Sequence, residues 1–185
     1  MSKLLLVRHC QSIGSHPDVP LSEAGAKAAE ALANRLQELA PDAVYSSPYE
    51  RAQATVRPFR CRLACRLGSM TGFASGCFRS GSLRTGWTTS AGRSPSRTTV
   101  RPAERASTMQ RAIAASADIA AVGHRLPAVS SHRNLIASVL RSMDPAFGFE
   151  QWVDLRTPDL FEVELDAGPP VRFVRLEALR RVEGQ

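Results

Sequence analysis

The sequence contains no apolar run approaching the roughly 20 residues that a membrane-spanning helix requires. The apolar run near its start, residues 4–7, is too short for a signal peptide. Cysteine is scarce, and the spacing of Cys61, Cys65 and Cys77 matches no standard zinc pattern. We therefore expect a cytoplasmic protein that contacts no membrane and binds no metal.

Lysine is almost missing, with 2 Lys against 22 Arg, and one long segment has no acidic residue at all. The formal net charge of +7 would by itself suggest nucleic acid or another anionic surface as a partner. However, residues 51–103 carry 10 Arg and no Lys, Asp or Glu, whereas the other residues carry 14 basic and 17 acidic side chains. The basic excess therefore belongs to one segment, and we expect no nucleic-acid partner.

The first 58 residues alternate between strand and helix patterns. A buried strand at residues 4–7 precedes a helix that Ser22 caps and Pro41 ends. A second buried strand at residues 43–45 precedes a helix with Pro48 in its first turn. This part of the chain therefore reads as strand, helix, strand, helix.

The last third of the chain continues the same alternation. We expect a helix at 109–121, a strand at 127–131, a helix at 134–143, and an edge hairpin formed by strands at 160–165 and 171–176. Strands alternating with helices predict one α/β domain over the 185 residues, with a largely parallel sheet.

Residues 60–103 fit neither pattern and allow three interpretations. The segment is rich in Arg, Ser, Thr and Gly, which suits a disordered basic linker. It also suits an arginine-rich nucleic-acid-binding segment, although lysine is absent and we interpret Trp87 and the Phe residues as incidental rather than as a stacking platform. The interpretation we favour is a compensated frameshift: in the shifted frame Trp87 followed by Thr88 forces an Asp codon, and a coherent sequence runs from Gly86 back into frame at Glu104.

Polar segments follow the three predicted parallel strands at their carboxyl ends, where the sites of such sheets form. Arg8 and His9 end the first strand, Arg51 lies in the first helical turn after the second, and His132 follows the third. Arginine holds phosphate oxygens with a planar fork of donors, and a neutral histidine can attack phosphorus. The set predicts a site for phosphoryl transfer.

These segments resemble the histidine phosphatase superfamily, the phosphoglycerate mutase-like proteins. Arg8-His9 matches the family's R-H-G with Cys10 for the Gly, and residues 21–29 are similar to its L-T/S-x-x-G-x-x-Q-A segment. Residues 46–55 match S-S-x-x-x-R-A-x-x-T in full, and Ser131-His132 matches S-H-G. The resemblance covers about residues 1–58 and 104–176, and it implies a three-layer sandwich whose central sheet is flanked by helices.

The resemblance also implies a role for each matched residue. His9 would be the nucleophile that forms a phosphohistidine, Arg8 and Arg51 would bind the phosphoryl group, and His132 would stabilise the transition state. Ser15 lies near the position where many members have an Asn in the substrate loop. Hydrolysis in the family needs no metal and no organic cofactor.

Three departures from the family pattern bear on activity. Cys10 and Arg133 put side chains where the family has Gly, so we expect either crowding or, from Arg133, one more phosphate-binding cation. Many members take a proton donor from a Glu in the segment that here has no acid, and a general acid is typically worth about 10²–10⁴ in rate. Asp18, Glu50 and Glu104 are the nearest acids left, and none matches the donor motif.

We therefore expect a phosphatase that acts on a small phosphorylated metabolite through His9. Within the family, a phosphoglycerate mutase-type phosphotransferase and a phosphohistidine-protein phosphatase are alternatives. A degenerate member without catalysis is another, favoured by the missing acid, so whether the chain is an active enzyme stays open. A nucleic-acid-binding protein would rest on residues 51–103 alone. Phe147 and Trp152 indicate core or subunit packing, which leaves a homodimer open.

Overall fold

A computed structural model describes residues 2–68, 119, 123–165 and 170–179. Its strands are β1 (Ser2–Arg8), β2 (Ala43–Ser46), β3 (Pro127–Ser131), β4 (Asp159–Leu165) and β5 (Pro170–Leu176). Its helices are α1 (Glu23–Leu39), α2 (Glu50–Gly68), α3 (Arg133–Met143) and α4 (Phe149–Asp154).

The five strands form one mixed sheet in the order β2-β3-β1-β4-β5. β3 pairs in parallel with both β1 and β2, whereas β4 pairs antiparallel with β1 and with β5. Four strands therefore point the same way and only β4 is reversed. The predicted largely parallel sheet and the predicted hairpin at its edge are both confirmed.

Helices cover both faces of this sheet, so the predicted three-layer sandwich is confirmed. Successive residues of β1 point to opposite faces, and because both faces are covered, all four residues 4–7 are fully buried. One core joins strand residues to α1 and α2, and includes Leu5, Val7, Ala128, Leu32, Leu36, Val56 and Phe59. The other joins them to α3, and includes Leu4, Leu6, Val129, Phe161, Ile136 and Leu140.

Helix α1 begins and ends where its sequence predicts. The Ser22 hydroxyl accepts a hydrogen bond of 3.0 Å from the Gly25 N–H, which satisfies one of the free donors at the start of the helix. Ala40, with a φ of 49°, ends the helix in the left-handed region directly before Pro41. Gly25 faces the loop after β1 so closely that a Cβ there would lie 2.0 Å from the Gln11 carbonyl oxygen.

Helix α2 starts later than its sequence predicts. It begins at Glu50, so placing Pro48 in its first turn was wrong: Pro48 lies two residues ahead of the helix. The reason is that the N–H groups of Ala52 and Gln53 donate to the Tyr49 carbonyl, at 2.9 and 3.1 Å. Tyr49, rather than Pro48, therefore receives the first hydrogen bonds of the helix.

Helix α2 also continues to Gly68, so treating residues 60–68 as part of the irregular segment was wrong. Arg62 explains the continuation, because its guanidinium donates to α1 side chains, namely Glu30 at 2.8 Å, Asn34 at 2.6 Å and Gln37 at 3.1 Å. Residues 69–103 of that segment lie outside the described residues, as does the helix predicted at 109–121 apart from Ile119. None of the described helices is long and apolar enough to cross a membrane.

Candidate active site

The loops after the three adjacent parallel strands begin at one edge of the sheet. Arg8 of β1 is in register with Ser131 of β3, and Ser46 of β2 is in register with Ser130. Just past the strand ends, the His9 N–H donates to the Ser131 carbonyl at 3.0 Å and the Ser47 N–H to the Ser130 carbonyl at 2.9 Å. The predicted convergence of the three segments is therefore present in the structure.

His9 is held by the backbone of its own loop. Its Nδ1 lies 2.7 Å from the Cys10 carbonyl oxygen, and because a carbonyl oxygen only accepts, a neutral His9 ring carries its proton on Nδ1. The Cys10 N–H in turn donates to the Thr55 hydroxyl at 2.9 Å, and that hydroxyl donates to the Arg51 carbonyl at 2.7 Å. The arrangement leaves the lone pair of His9 on Nε2.

His132 lies beside His9, with 5.2 Å between the ring centroids and an angle of 62° between the rings. Its Nε2 is 2.7 Å from the hydroxyl of Ser47, a buried side chain on the loop between β2 and α2. The Tyr49 ring also packs edge to face against His132, with 4.9 Å between the ring centroids. His132 also precedes α3, so that the N-terminus of this helix lies behind the site.

The two predicted phosphate-binding arginines are buried, and backbone carbonyls hold both of them. Arg51 donates to the carbonyls of Ser15 and His16, at 3.1 and 2.9 Å, and lies 4.7 Å from the centre of the Tyr49 ring. Arg8 donates to the carbonyls of Leu155 and Arg156. Side chains fixed in this way lose little further freedom when they bind an anion.

The two histidines are neutral at neutral pH. Burial, reinforced by the positive charges of Arg51, Arg8 and Arg133, lowers the pKa of His9 to about 4, against the raising effect of its hydrogen bond to Cys10. Burial, together with His9 and Arg51, lowers the pKa of His132 to about 3. A neutral imidazole with a free Nε2 is the state in which histidine is a nucleophile.

Burial lowers the pKa of Arg8 to about 10, with a further lowering by Arg133 that Asp159 partly offsets. Burial is also the largest cause that lowers the pKa of Arg51. At a pKa of about 10, Arg8 stays positively charged at neutral pH. The site thus combines neutral histidines with buried positive charge, a combination suited to a phosphate group.

The two side chains that replace family glycines behave differently. Cys10 is fully buried and belongs to the core beneath α1 and α2, where burial raises the pKa of its thiol to about 12. The Cys10 side chain therefore packs in the core, and Cys10 is not a reactive thiol. Arg133 donates to the Leu155 carbonyl at 3.4 Å and lies 4.8 Å from the Trp152 ring centre.

The remaining candidates have weaker connections to the site. Ser15 is exposed and meets Arg51 through its carbonyl rather than its hydroxyl. Glu50 pairs with Arg57 at 2.8 Å, and Asp18 is exposed. Glu104 lies outside the described residues. Among the residues that are described, no three His, Cys, Asp or Glu side chains gather as a metal site would need.

Two buried hydroxyls of the site, those of Ser47 and Thr55, were not singled out from the sequence. Both belong to the motif at residues 46–55, in which only Arg51 received a role. The signal was therefore present, but the partners that connect these hydroxyls to the site, His132 and the Cys10 N–H, lie on other loops. Finding them requires the pairing of β2 with β3 and the contact between α2 and the loop after β1.

An α/β sheet with two histidines and two arginines at the ends of its parallel strands is an arrangement that would suit a phosphoryl group. The sequence model of the Histidine phosphatase superfamily (branch 1) matches residues 4–160. The chain therefore belongs to the histidine phosphatase superfamily, as its motifs predict.

Solved structures with the same fold are distant in sequence. A phosphoserine phosphatase from Entamoeba histolytica, in complex with 3-phosphoglyceric acid, is 17% identical with a TM-score of 0.59, and the match covers 97% of this chain and 100% of that chain. A mycobacterial glucosyl-3-phosphoglycerate phosphatase is 17% identical with a TM-score of 0.59, covering 95% and 97%. The protein histidine phosphatase SixA complexed with tungstate is 17% identical with a TM-score of 0.58, covering 95% and 97%. No curated protein sequence matches the chain.

Proposed function

We propose that the protein is a phosphatase that hydrolyses a small phosphorylated metabolite through a phosphohistidine at His9. The observation that carries this proposal is the 2.7 Å hydrogen bond from His9 Nδ1 to the Cys10 carbonyl, which leaves Nε2 as the nucleophilic atom. The lowered pKa of His9 keeps that atom unprotonated at neutral pH. Buried Arg8 and Arg51 supply the positive charge that a phosphate dianion needs.

The similar solved structures support this class of reaction. They include phosphatases named for phosphoserine, for glucosyl-3-phosphoglycerate and for protein histidine. Tungstate in the last of these is an oxyanion of phosphate-like shape and charge. A phosphohistidine-protein phosphatase therefore remains an alternative within the same chemistry.

In the proposed reaction, Arg8 and Arg51 hold the phosphoryl oxygens while His9 Nε2 attacks phosphorus. The Nε2–P bond forms as the ester P–O bond breaks, and the electron pair departs with the ester oxygen, which then takes up a proton. His132 hydrogen-bonds to the transferring group. Water next attacks phosphorus and gives up a proton, the Nε2–P bond breaks, and inorganic phosphate leaves.

A non-catalytic phosphate-binding protein is the second candidate. The observation that favours it is that acids near the site are engaged elsewhere in the described part of the chain. Glu50 pairs with Arg57, and Asp159 accepts hydrogen bonds from Arg175 and from two backbone N–H groups. A mutase would in addition need a second phosphate site and retention of the phosphorylated intermediate.

Hydrolysis of para-nitrophenyl phosphate tests the proposal, because its leaving group departs without a proton donor. We expect turnover by the native chain and a loss of at least about 10³-fold in His9→Ala. Quenching at alkaline pH, where phosphohistidine survives, followed by mass spectrometry should locate the phosphoryl group on His9.

His124→Ala is the matched control. His124 is half-buried like His9, but its ring bonds to the Tyr45 hydroxyl at 2.9 Å, and Tyr45 has no role in the proposed reaction. This variant should retain the activity of the native chain. A folded native chain that binds inorganic phosphate but shows neither turnover nor labelled His9 would contradict the proposal and support the non-catalytic alternative.

A further inference from the structure

Arg133 is the first residue of α3, and its side chain is held on two sides. One terminal nitrogen donates to the Leu155 carbonyl at 3.4 Å, and the guanidinium stacks over the Trp152 ring at 4.8 Å. Trp152 is itself fixed, because its indole N–H donates to the Asn134 side chain at 3.0 Å. Arg133 is therefore a positioned cation rather than a freely moving surface side chain.

Arg133 and Arg8 meet at one acceptor. Both donate to the Leu155 carbonyl, so that two like charges lie side by side. Within the described part of the chain, neither forms an ion pair with a carboxylate, and the Nε of each is buried without a hydrogen-bond partner. The nearby Asp159 carboxylate is bound to Arg175 instead. Two adjacent guanidiniums with unused buried donors favour an anion beside them.

This pair is anchored on a different loop from Arg51. Arg8 and Arg133 both donate to the Leu155 carbonyl, whereas Arg51 donates to the carbonyls of Ser15 and His16. Arg133 therefore shares its anchor with Arg8 and not with Arg51.

The charges indicate what this position is for. Arg8 and Arg51 together match the two negative charges of a phosphate monoester, so Arg133 is a third positive charge without a counterpart. We propose that Arg133, next to Arg8, binds a second anionic group of the substrate and selects phosphate monoesters that carry one, such as a carboxylate. This inference rests on the proposed phosphatase function.

The test compares aryl phosphates that carry a carboxylate with neutral analogues of the same shape: meta- and para-carboxyphenyl phosphate against meta- and para-carbamoylphenyl phosphate. The native chain should prefer at least one carboxylate isomer by about 10-fold or more, through a lower KM. Arg133→Gln should abolish that preference and leave kcat/KM for the carbamoyl esters within about 3-fold of the native value. Arg133→Lys should retain only part of the preference, because lysine keeps the positive charge but lacks the two parallel N–H donors of the guanidinium.

Arg141→Gln is the control, since Arg141 lies exposed on the same helix and should not affect the preference. The absence of a carboxylate preference for both the meta and the para isomer would overturn the proposal. So would an equal loss in Arg133→Gln for charged esters, neutral esters and inorganic phosphate, because Arg133 would then bind the transferring phosphoryl group itself.

Calorimetry with carboxybenzylphosphonates and benzylphosphonate, which cannot be hydrolysed, separates this proposal from the proposed function. If no ester is turned over, the phosphatase proposal fails, yet a tighter Kd for a carboxylate phosphonate that disappears in Arg133→Gln would still support the second anion site. Equal Kd values for charged and neutral phosphonates would overturn it.

Discussion

At the scale of single residues, the state of His9 depends on a hydroxyl that it does not touch. The Thr55 hydroxyl accepts the Cys10 N–H and donates to the Arg51 carbonyl, so the direction of both hydrogen bonds is fixed. The Cys10 carbonyl in turn accepts a hydrogen bond from the N–H at Nδ1 of His9. Thr55 thereby connects α2 to the loop that orients the nucleophile, and we regard it as a positioning residue.

Thr55→Val should slow phosphorylation of His9 by at least about 10-fold, because it leaves the buried Cys10 N–H without an acceptor and lets the loop shift. Thr55→Ser, which keeps the hydroxyl, should restore most of the rate. Single-turnover kinetics measures the rate, and ¹⁵N shifts of the imidazole report whether the His9 proton stays on Nδ1. A Val variant with lower Tm but native rate and native ¹⁵N shifts would show a purely structural role for Thr55.

The lowered pKa values of the two histidines make the stability of the fold depend on pH. Because His132 has a pKa of about 3 in the folded chain against an ordinary value of about 6.5, the unfolded chain binds a proton between these values that the folded chain does not. The free energy of unfolding should therefore fall as the pH is lowered from 7 towards 5, a range in which few carboxyl groups titrate.

His132→Gln should make this fall shallower, and urea unfolding at a series of pH values measures the slope. His16→Gln is the control, because His16 is exposed and its replacement should leave the slope unchanged. An unchanged slope in His132→Gln would contradict the lowered pKa. An equal reduction of the slope in His132→Gln and His16→Gln would also contradict the lowered pKa of His132.

At the scale of elements, Gly25 determines how closely α1 approaches the loop after β1. The Ser22 N–H donates to the Gln11 carbonyl at 2.9 Å, and the same carbonyl lies where a Cβ of residue 25 would be. The family motif places Gly here, and the structure gives the steric reason. This loop continues to the carbonyls of Ser15 and His16, which hold Arg51.

Gly25→Ala should destabilise the fold by about 1–3 kcal/mol, because the added methyl would lie 2.0 Å from a backbone oxygen and either the loop or the helix must move. Gly14→Ala is the matched control, since a Cβ there meets only Val19, at an ordinary 3.5 Å. Chemical denaturation measures both variants. Equal stability of the Gly25→Ala and Gly14→Ala variants would contradict this prediction, because it would show that the loop moves aside without a loss of stability.

Element boundaries show where a single sequence misleads. The end of α2 lies in the acid-free segment and could not be predicted from the sequence pattern. The pattern does not show that Arg62 donates hydrogen bonds to three side chains of α1. The start of α1 was predictable, since a serine cap acts within one turn. Local hydrogen bonds can therefore be read from sequence, whereas bonds between helices depend on packing.

At the scale of the whole molecule, the convergence of Arg8, His9, Arg51 and His132 was predictable because parallel strands bring their carboxyl ends together. The groups that hydrogen-bond to these four side chains could not be predicted from the sequence. Leu155, which anchors Arg8 and Arg133, lies in a loop far along the chain whose course no local pattern indicates. The positive charge at the site thus comes from a few buried arginines, with Arg51 among them, and not from the general basic excess of residues 51–103.

The acid-free segment also bears on the range of substrates. A departing alkoxide needs a proton, whereas a nitrophenolate does not, and a general acid is typically worth about 10²–10⁴ in rate. If no acid reaches the site, kcat/KM should fall steeply from aryl to alkyl phosphates as the leaving group becomes more basic. Glu50 and Glu104 border the acid-free segment, and Glu50 pairs with Arg57, so Glu104 is the candidate acid to test. Glu104→Gln should leave that dependence unchanged if the acid is missing. A shallow dependence that becomes steep in Glu104→Gln would instead identify Glu104 as the proton donor, because a lost acid slows only the esters whose leaving oxygen needs the proton.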